Sequence, residues 1–147
     1  MKQLLYLKDE QLKHFIEKIF MGYRETFADS KGVLSKYQIG LAHQKTIHLI
    51  SMYEGISISE LLGKLKVTKQ SLNRVLNDLA DIKAIEFRRD EIDTRVKHVY
   101  LTAEGEKIFD EIFSAQKKRI YDAFLSSDSN DVISFDKVLK KIINEKL

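Results

Sequence analysis

Apolar residues recur at helical spacing along almost the whole of this chain, and the pattern breaks once, between Ile85 and Leu101. There two short runs rich in β-branched and aromatic residues, IEFRR and RVKHVYL, flank a knot of charge, DEIDT. Paired runs of that kind predict a β-hairpin, and without an Asn-Gly or Asp-Gly signal the link is expected to be a longer loop. One hairpin cannot make a core alone, so the chain must be mainly α with the ribbon as an appendage. Proline is absent, so no ring geometry forces a helix to stop. A length of 147 residues fits one domain with a real core.

From Asp9 to Phe27 the residues Leu12, Phe15, Ile16, Ile19, Phe20, Tyr23 and Phe27 paint one stripe on a helix. SKGVLS then reads as a loop, with Ser35 as the N-cap of a second helix through about Met52. That helix is apolar on more than one side, as a central, buried helix would be. Ser57 followed by Glu60 has capping-box spacing and opens a short third helix containing Leu61, Leu62 and Leu65. After a turn at Lys66 and Val67, Thr68 caps a fourth helix whose inward face is Leu72, Val75, Leu76 and Leu79. Two helices joined by so tight a turn have helix-turn-helix spacing. Beyond the hairpin a long helix runs from Thr102 through Phe124, SSDSND breaks it, and a last helix spans roughly Asp131 to Glu145.

With Leu72 and Leu76 inward, Gln70, Arg74 and Asn77 face outward and Ser71 and Asn73 flank them. Arg can fork onto guanine, and Gln and Asn can pair with adenine, in a major groove. Thr68 and Lys69 stand at the positive end of the helix dipole, where a phosphate oxygen is favoured. The plainer alternative is an ordinary solvated helix face. Between Glu60 and Asp78, however, there is no acid but four bases, Lys64, Lys66, Lys69 and Arg74, a local field that suits a polyanion. The net charge of +3 is too small to predict more than modest nonspecific affinity.

A helix-turn-helix followed at once by a hairpin is the winged-helix order. DTRVKHVYLTAEG, with its D-x-R and L-T-x-x-G, and ISELLGKLKVTKQSLNRVLNDL resemble the wing and helix-turn-helix of the MarR family of bacterial transcription regulators. The resemblance covers nearly the whole chain, and GLAHQKTIHLI is similar to the PetP-like branch of that family. It implies a sequence-specific, homodimeric DNA-binding regulator, with a recognition helix at about 68–83 in the major groove and a wing at about 86–101 in the minor groove. It implies that Arg95 enters the minor groove while Asp93 pairs with it or with the backbone and holds the loop. Physical chemistry agrees, because a narrow minor groove has an enhanced negative potential that favours a guanidinium. Arg88 and Arg89 would sit lower on the arm, near phosphates. The alternative for Arg95 is a surface ion pair with Asp90, Glu91 or Asp93, worth at most about 1 kcal/mol. The family usually has glycine just after the recognition helix; here it is Lys83, at a cost of roughly 1 kcal/mol if the cap is left-handed.

The expected architecture is therefore a winged helix-turn-helix lobe at 35–102 plus a helical dimerisation region formed by both termini, 1–30 and 103–147. Both ends carry more apolar helix than a helix-turn-helix needs, including Phe15, Phe20, Phe109, Phe113, Phe124 and Phe135. The resemblance implies that they interlock as a homodimer on a palindromic site. The alternative is that they close a monomeric core. Proteins resembling this one often bind small anionic or aromatic effectors, and Tyr37, His43, Lys45 and His48 lie in an acid-free stretch, Ser30 to Tyr53, suited to such a ligand. The two histidines are five apart and fall on different sides of a helix, so no metal site is expected and structural roles suit them better.

Zero cysteines exclude disulfides and thiolate metal sites. No phosphate-cradling glycine pattern, H-E-x-x-H or G-x-S-x-G occurs, so neither an enzyme nor a cofactor is expected. No apolar run is long enough for a membrane span, and MKQLLYLKDEQLKHF meets charge too soon for a signal peptide, which points to the cytoplasm. The rival function is a winged helix used only for protein–protein interaction.

Overall fold

The computed structural model describes residues 4–144. After a 3-10 turn at Leu5–Leu7 come α1 (Asp9–Ala28), α2 (Lys31–Tyr37), α3 (Leu41–Met52), α4 (Ile58–Leu65), α5 (Lys69–Asp81), β1 (Ile85–Arg89), β2 (Lys97–Leu101), α6 (Ala103–Leu125) and α7 (Ser129–Ile142). The expected mainly α fold with one hairpin is what forms. The end of the last expected helix, at Glu145, lies outside the described residues, as do the extremities of the two terminal regions.

The core lies where α3, α4, α5 and the hairpin meet the first half of α6. Ile47 and Ile50 of α3 meet Leu61 of α4, Leu72, Leu76 and Leu79 of α5, Val99 of β2 and Ile108 and Ile112 of α6, all buried. Each such side chain stabilises the fold by about 1.5–3 kcal/mol on leaving water. Two expected caps form, Ser57 accepting from the Glu60 N–H at 3.0 Å and Thr68 from Ser71 at 3.1 Å, and Thr102 adds a third, accepting from Gly105 at 3.1 Å.

One expectation is corrected. Residues 30–35 are not a loop, and Ser35 caps nothing: it lies inside α2, and α3 starts only at Leu41. The cause is tertiary. Leu34 is buried in the core, and the left-handed Gln38, at φ 55°, ends α2 just before Gly40 opens α3. Burial of one leucine and a two-step break outweigh the turn-like composition of SKGVLS.

The strands pair antiparallel in the register Ile85↔Leu101 through Arg89↔Lys97. The Val99 N–H donates to the Ile56 carbonyl at 2.9 Å, so the wing is also stitched to the turn between α3 and α4. Gly55 in that turn has φ +77°, and a Cβ there would lie 3.1 Å from the Tyr100 hydroxyl. Glycine meets both demands.

Lys83 does adopt the left-handed conformation, at φ 61°. Its N–H donates to the Ala80 carbonyl and that of Ala84 to the Leu79 carbonyl, both at 2.9 Å, which is the Schellman arrangement usually built on glycine. Two contacts hold the strained residue: the Thr102 hydroxyl donates to the Lys83 carbonyl at 2.6 Å and the Thr102 N–H to the Ala84 carbonyl at 3.0 Å. Gly105 passes directly over the Ala84 carbonyl, where any Cβ would overlap it. The threonine and glycine of L-T-x-x-G thus seat α6 on the end of α5. Relief of the strain should make Lys83→Gly more stable than the parent by up to about 1 kcal/mol in urea unfolding, with the slope unchanged; a loss of stability would show that Lys83 is not strained.

Candidate nucleic-acid interface

Helix α5 turns one face wholly inward, with Leu72, Val75, Leu76 and Leu79 buried. That fixes the other face: Thr68, Lys69, Gln70, Ser71, Asn73, Arg74 and Asn77 are all exposed. The Thr68 hydroxyl is engaged by the cap, accepting from the Ser71 N–H and donating to the Ser71 hydroxyl at 2.8 Å. Gln70, Arg74 and Asn77 keep their polar ends in solvent, on a helix start with no acid in its first turn. In the preceding turn Lys66 is left-handed at φ 52°, which lets α4 end and α5 begin within a few residues.

The wing carries its charge in an ordered loop. The Asp90 carboxylate accepts from the N–H groups of Ile92 at 3.0 Å and Asp93 at 2.9 Å, which closes a tight turn at the tip. Those two bonds, with one from His98, hold its pKa down to about 2, the Asp93 N–H contributing most. Asp93 grips Arg95 three ways: its carboxylate accepts from the Arg95 N–H, Nε and Nη2, each at 3.1 Å. The Arg95 side chain nevertheless stays 89% exposed. The surface ion pair weighed as the alternative for Arg95 is therefore present, made by the same Asp93 carboxylate that holds the Arg95 N–H, and it leaves the guanidinium uncovered. Arg88 differs from its neighbour. It donates to Glu86 at 2.6 Å and lies 4.0 Å over the Tyr100 ring, whereas Arg89 projects from the arm, exposed.

The four residues of the acid-free stretch separate. Lys45 and His48 line a cavity of about 740 Å³ among α1, α3, α4 and α6, whose walls include Phe27, Phe113 and Phe124. Tyr37, on α2, and His43 do not line it. Helical geometry explains the split, since positions 43 and 48 lie on different sides of α3. His43 accepts the Gly40 N–H at Nδ1 (3.0 Å), so Nε2 carries the proton donated to Asp78 of α5 at 2.9 Å. The buried Tyr37 hydroxyl makes no hydrogen bond of good geometry, and the nearby Glu111 carboxylate pushes its pKa up. Burial lowers the pKa of His48, which meets Phe109 edge-on at 5.7 Å between ring centres. Lys64 and Lys117 join the cavity wall, and no acid lines it. These lysines come from two helices remote in sequence, so no local pattern could group them with Lys45.

Away from this core, α1 and α7 contain no buried residue at all. The stripe that should face a partner, including Phe15, Ile16, Ile19 and Phe20, lies in solvent in the single chain, as do Phe135 and Ile142 of α7. Arg119 of α6 forks onto Asp29 at 2.6 and 3.0 Å, fixing the end of α1 against α6. Among the described residues no helix is long and apolar enough to cross a membrane.

No family model matches the sequence. The chain is 38% identical over 141 residues to the HTH-type transcriptional regulator PetP of Rhodobacter capsulatus, a match covering 96% of this chain and 85% of that protein. Among solved structures it resembles a MarR-family transcriptional regulator from Silicibacter pomeroyi, with a TM-score of 0.76 at 18% identity, covering 99% of this chain and 98% of that one. It also resembles Streptococcus pneumoniae FabT in complex with DNA, with a TM-score of 0.75 at 22% identity, covering 93% and 96% of the two chains. At those identities the structures establish the fold, and the near full-length relative carries the relationship further. The chain belongs to the MarR family of winged-helix transcription regulators.

Proposed function

We propose that this protein is a homodimeric, cytoplasmic transcription regulator that binds duplex DNA sequence-specifically, with α5 in the major groove and the wing in the adjoining minor groove. One observation carries the reading. Gln70, Arg74 and Asn77 stand exposed together on the outward face of α5, within a stretch that holds four bases and no acid. Side chains of these types read base edges. The FabT structure, built on the same fold, holds DNA.

The homodimer rests on the terminal helices. An apolar stripe along α1 and another on α7, both in solvent, amount to more exposed hydrophobic surface than a monomer ordinarily leaves uncovered. A second copy would cover them and present two recognition helices to a palindromic site about one DNA turn apart. The effector is a small aromatic anion held in the cavity beside α3. Lys45, Lys64 and Lys117 supply positive charge around rings from Phe27, Phe113 and Phe124, and no acid opposes them. Because α3 also carries His43, bonded to Asp78 of α5, a ligand that shifts α3 would move the reading helix.

Duplex binding should weaken steeply with salt, with a log–log slope near −0.9 per neutralised phosphate. A flat dependence would favour a protein-interaction module. Arg74→Ala should relax sequence preference at one position of each half-site by roughly 1–3 kcal/mol in a binding-site selection; unchanged preference would remove Arg74 from the interface. Arg95→Ala should weaken binding most where the flanks are A·T-rich, and equal loss on every flank would reduce Arg95 to a phosphate contact.

A further inference from the structure

His98, on β2, bridges the wing to the body of the lobe. Its Nδ1 lies 2.8 Å from the Gly55 carbonyl in the α3–α4 turn, and its Nε2 lies 2.9 Å from Asp90 Oδ1 at the start of the wing loop. A carbonyl oxygen can only accept, so Nδ1 must carry a proton. Asp90 is also an acceptor: its other oxygen, Oδ2, takes two backbone N–H bonds from Ile92 and Asp93, and that environment keeps it ionised. Nε2 must therefore carry a proton as well. A neutral imidazole has one N–H and satisfies only one side; the imidazolium satisfies both.

We infer that His98 is the positioning residue of the wing: as an imidazolium between Gly55 and Asp90 it locks the base of the arm to the α3–α4 turn and, through Asp90 and Asp93, sets the direction of Arg95. The line of contacts is continuous. The Gly55 carbonyl meets His98, His98 meets Asp90, Asp90 holds the Ile92 and Asp93 amides, and Asp93 holds Arg95 at three atoms. This explains how an arm with four acids and four bases keeps one guanidinium aimed. Neither D-x-R nor the reading face requires a histidine at this place.

The surrounding charges favour the cation. Asp90 raises the pKa of His98 most, the Gly55 carbonyl next, and Glu60 of α4 adds to them against some desolvation. Arg88, directly across the strand pair, is turned to Glu86 and the Tyr100 ring. A group whose folded pKa lies above its ordinary value, near 6.5, contributes fully below that value and loses its contribution as pH rises through the folded one. Asp90, depressed from 3.8 to about 2, contributes above 3.8 and loses its contribution as pH falls toward 2. The bridge is complete between those limits, and the wing loosens on the alkaline side.

The inference rests on the DNA-binding reading for its consequence but not for its first test. In the free, full-length protein, nitrogen-15 NMR of the His98 ring should show both nitrogens protonated at pH 6, with a titration midpoint above the ordinary histidine value. The amides of Ile92, Asp93 and Arg95 should shift with the same midpoint. Duplex binding is then measured at pH 6 and pH 9, below ordinary lysine titration, on sites with A·T-rich and G·C-rich flanks. Wild type should lose several-fold of its flank preference at pH 9, His98→Gln should show the reduced preference at both pH values, and Arg95→Ala should show none at either. A midpoint at or below the ordinary value, or wild-type flank preference retained by a folded His98→Gln, would overturn the role of His98. Failure of the wild type to bind any duplex would instead overturn the DNA-binding reading, and with it the consequence drawn here.

Discussion

The setting of α5 against the rest of the molecule depends on one joint, where Thr102 fastens the end of α5 to the start of α6. Its hydroxyl donates to the Lys83 carbonyl and accepts from the Gly105 N–H, and its amide holds the Ala84 carbonyl. One side chain thereby closes a left-handed helix end and caps the helix that follows the wing. The bare Gly105 lets α6 lie against the Ala84 carbonyl. Strain of roughly 1 kcal/mol at Lys83 is small beside the burial of Leu79, Ala84, Ile85 and Ile108 around the joint. The angle between the reading surface and the long terminal helix is thus set by packed and bonded atoms, so a dimer built on α1, α6 and α7 would hold two reading surfaces at a fixed separation.

The second constraint is electrostatic and local. Apart from His98, the four acids between Glu86 and Lys97 balance the four bases, so little attraction can come from their sum. It comes from position. Asp90 organises the tip, Asp93 grips Arg95, and Arg88 is taken up by Glu86 and Tyr100, leaving Arg95 and Arg89 projecting. The same economy governs α5, where the inward leucines leave a polar face with few competing side-chain bonds. Acids on the wing thus serve as scaffolding for the arginine.

Much of this was legible in the chain because the signals were local. The inward stripe of α5, the caps at Ser57 and Thr68 and the hairpin each depend on residues within a few positions of one another. Where the signal is tertiary the sequence misled or fell silent. SKGVLS looks like a loop, yet Leu34 finds the core and the segment coils into α2. Nothing in RVKHVYL sets His98 apart, because Gly55, its partner, is 43 positions away. Lys64 and Lys117 meet Lys45 around one cavity only once three helices are packed. Tyr37 and His43 shared an acid-free stretch with Lys45 and His48, but Tyr37 falls on α2 and the turn of α3 sends His43 to another side.

The central claim is geometric: two copies of α5 and its wing, held by the terminal helices, meet one face of a duplex. Hydroxyl-radical footprinting on a selected site tests it most directly. The account predicts two protected patches whose centres lie one helical turn, roughly 34–36 Å, apart on the same face, with further protection in the flanking minor grooves. A single patch, or two patches on opposite faces of the duplex, would contradict it.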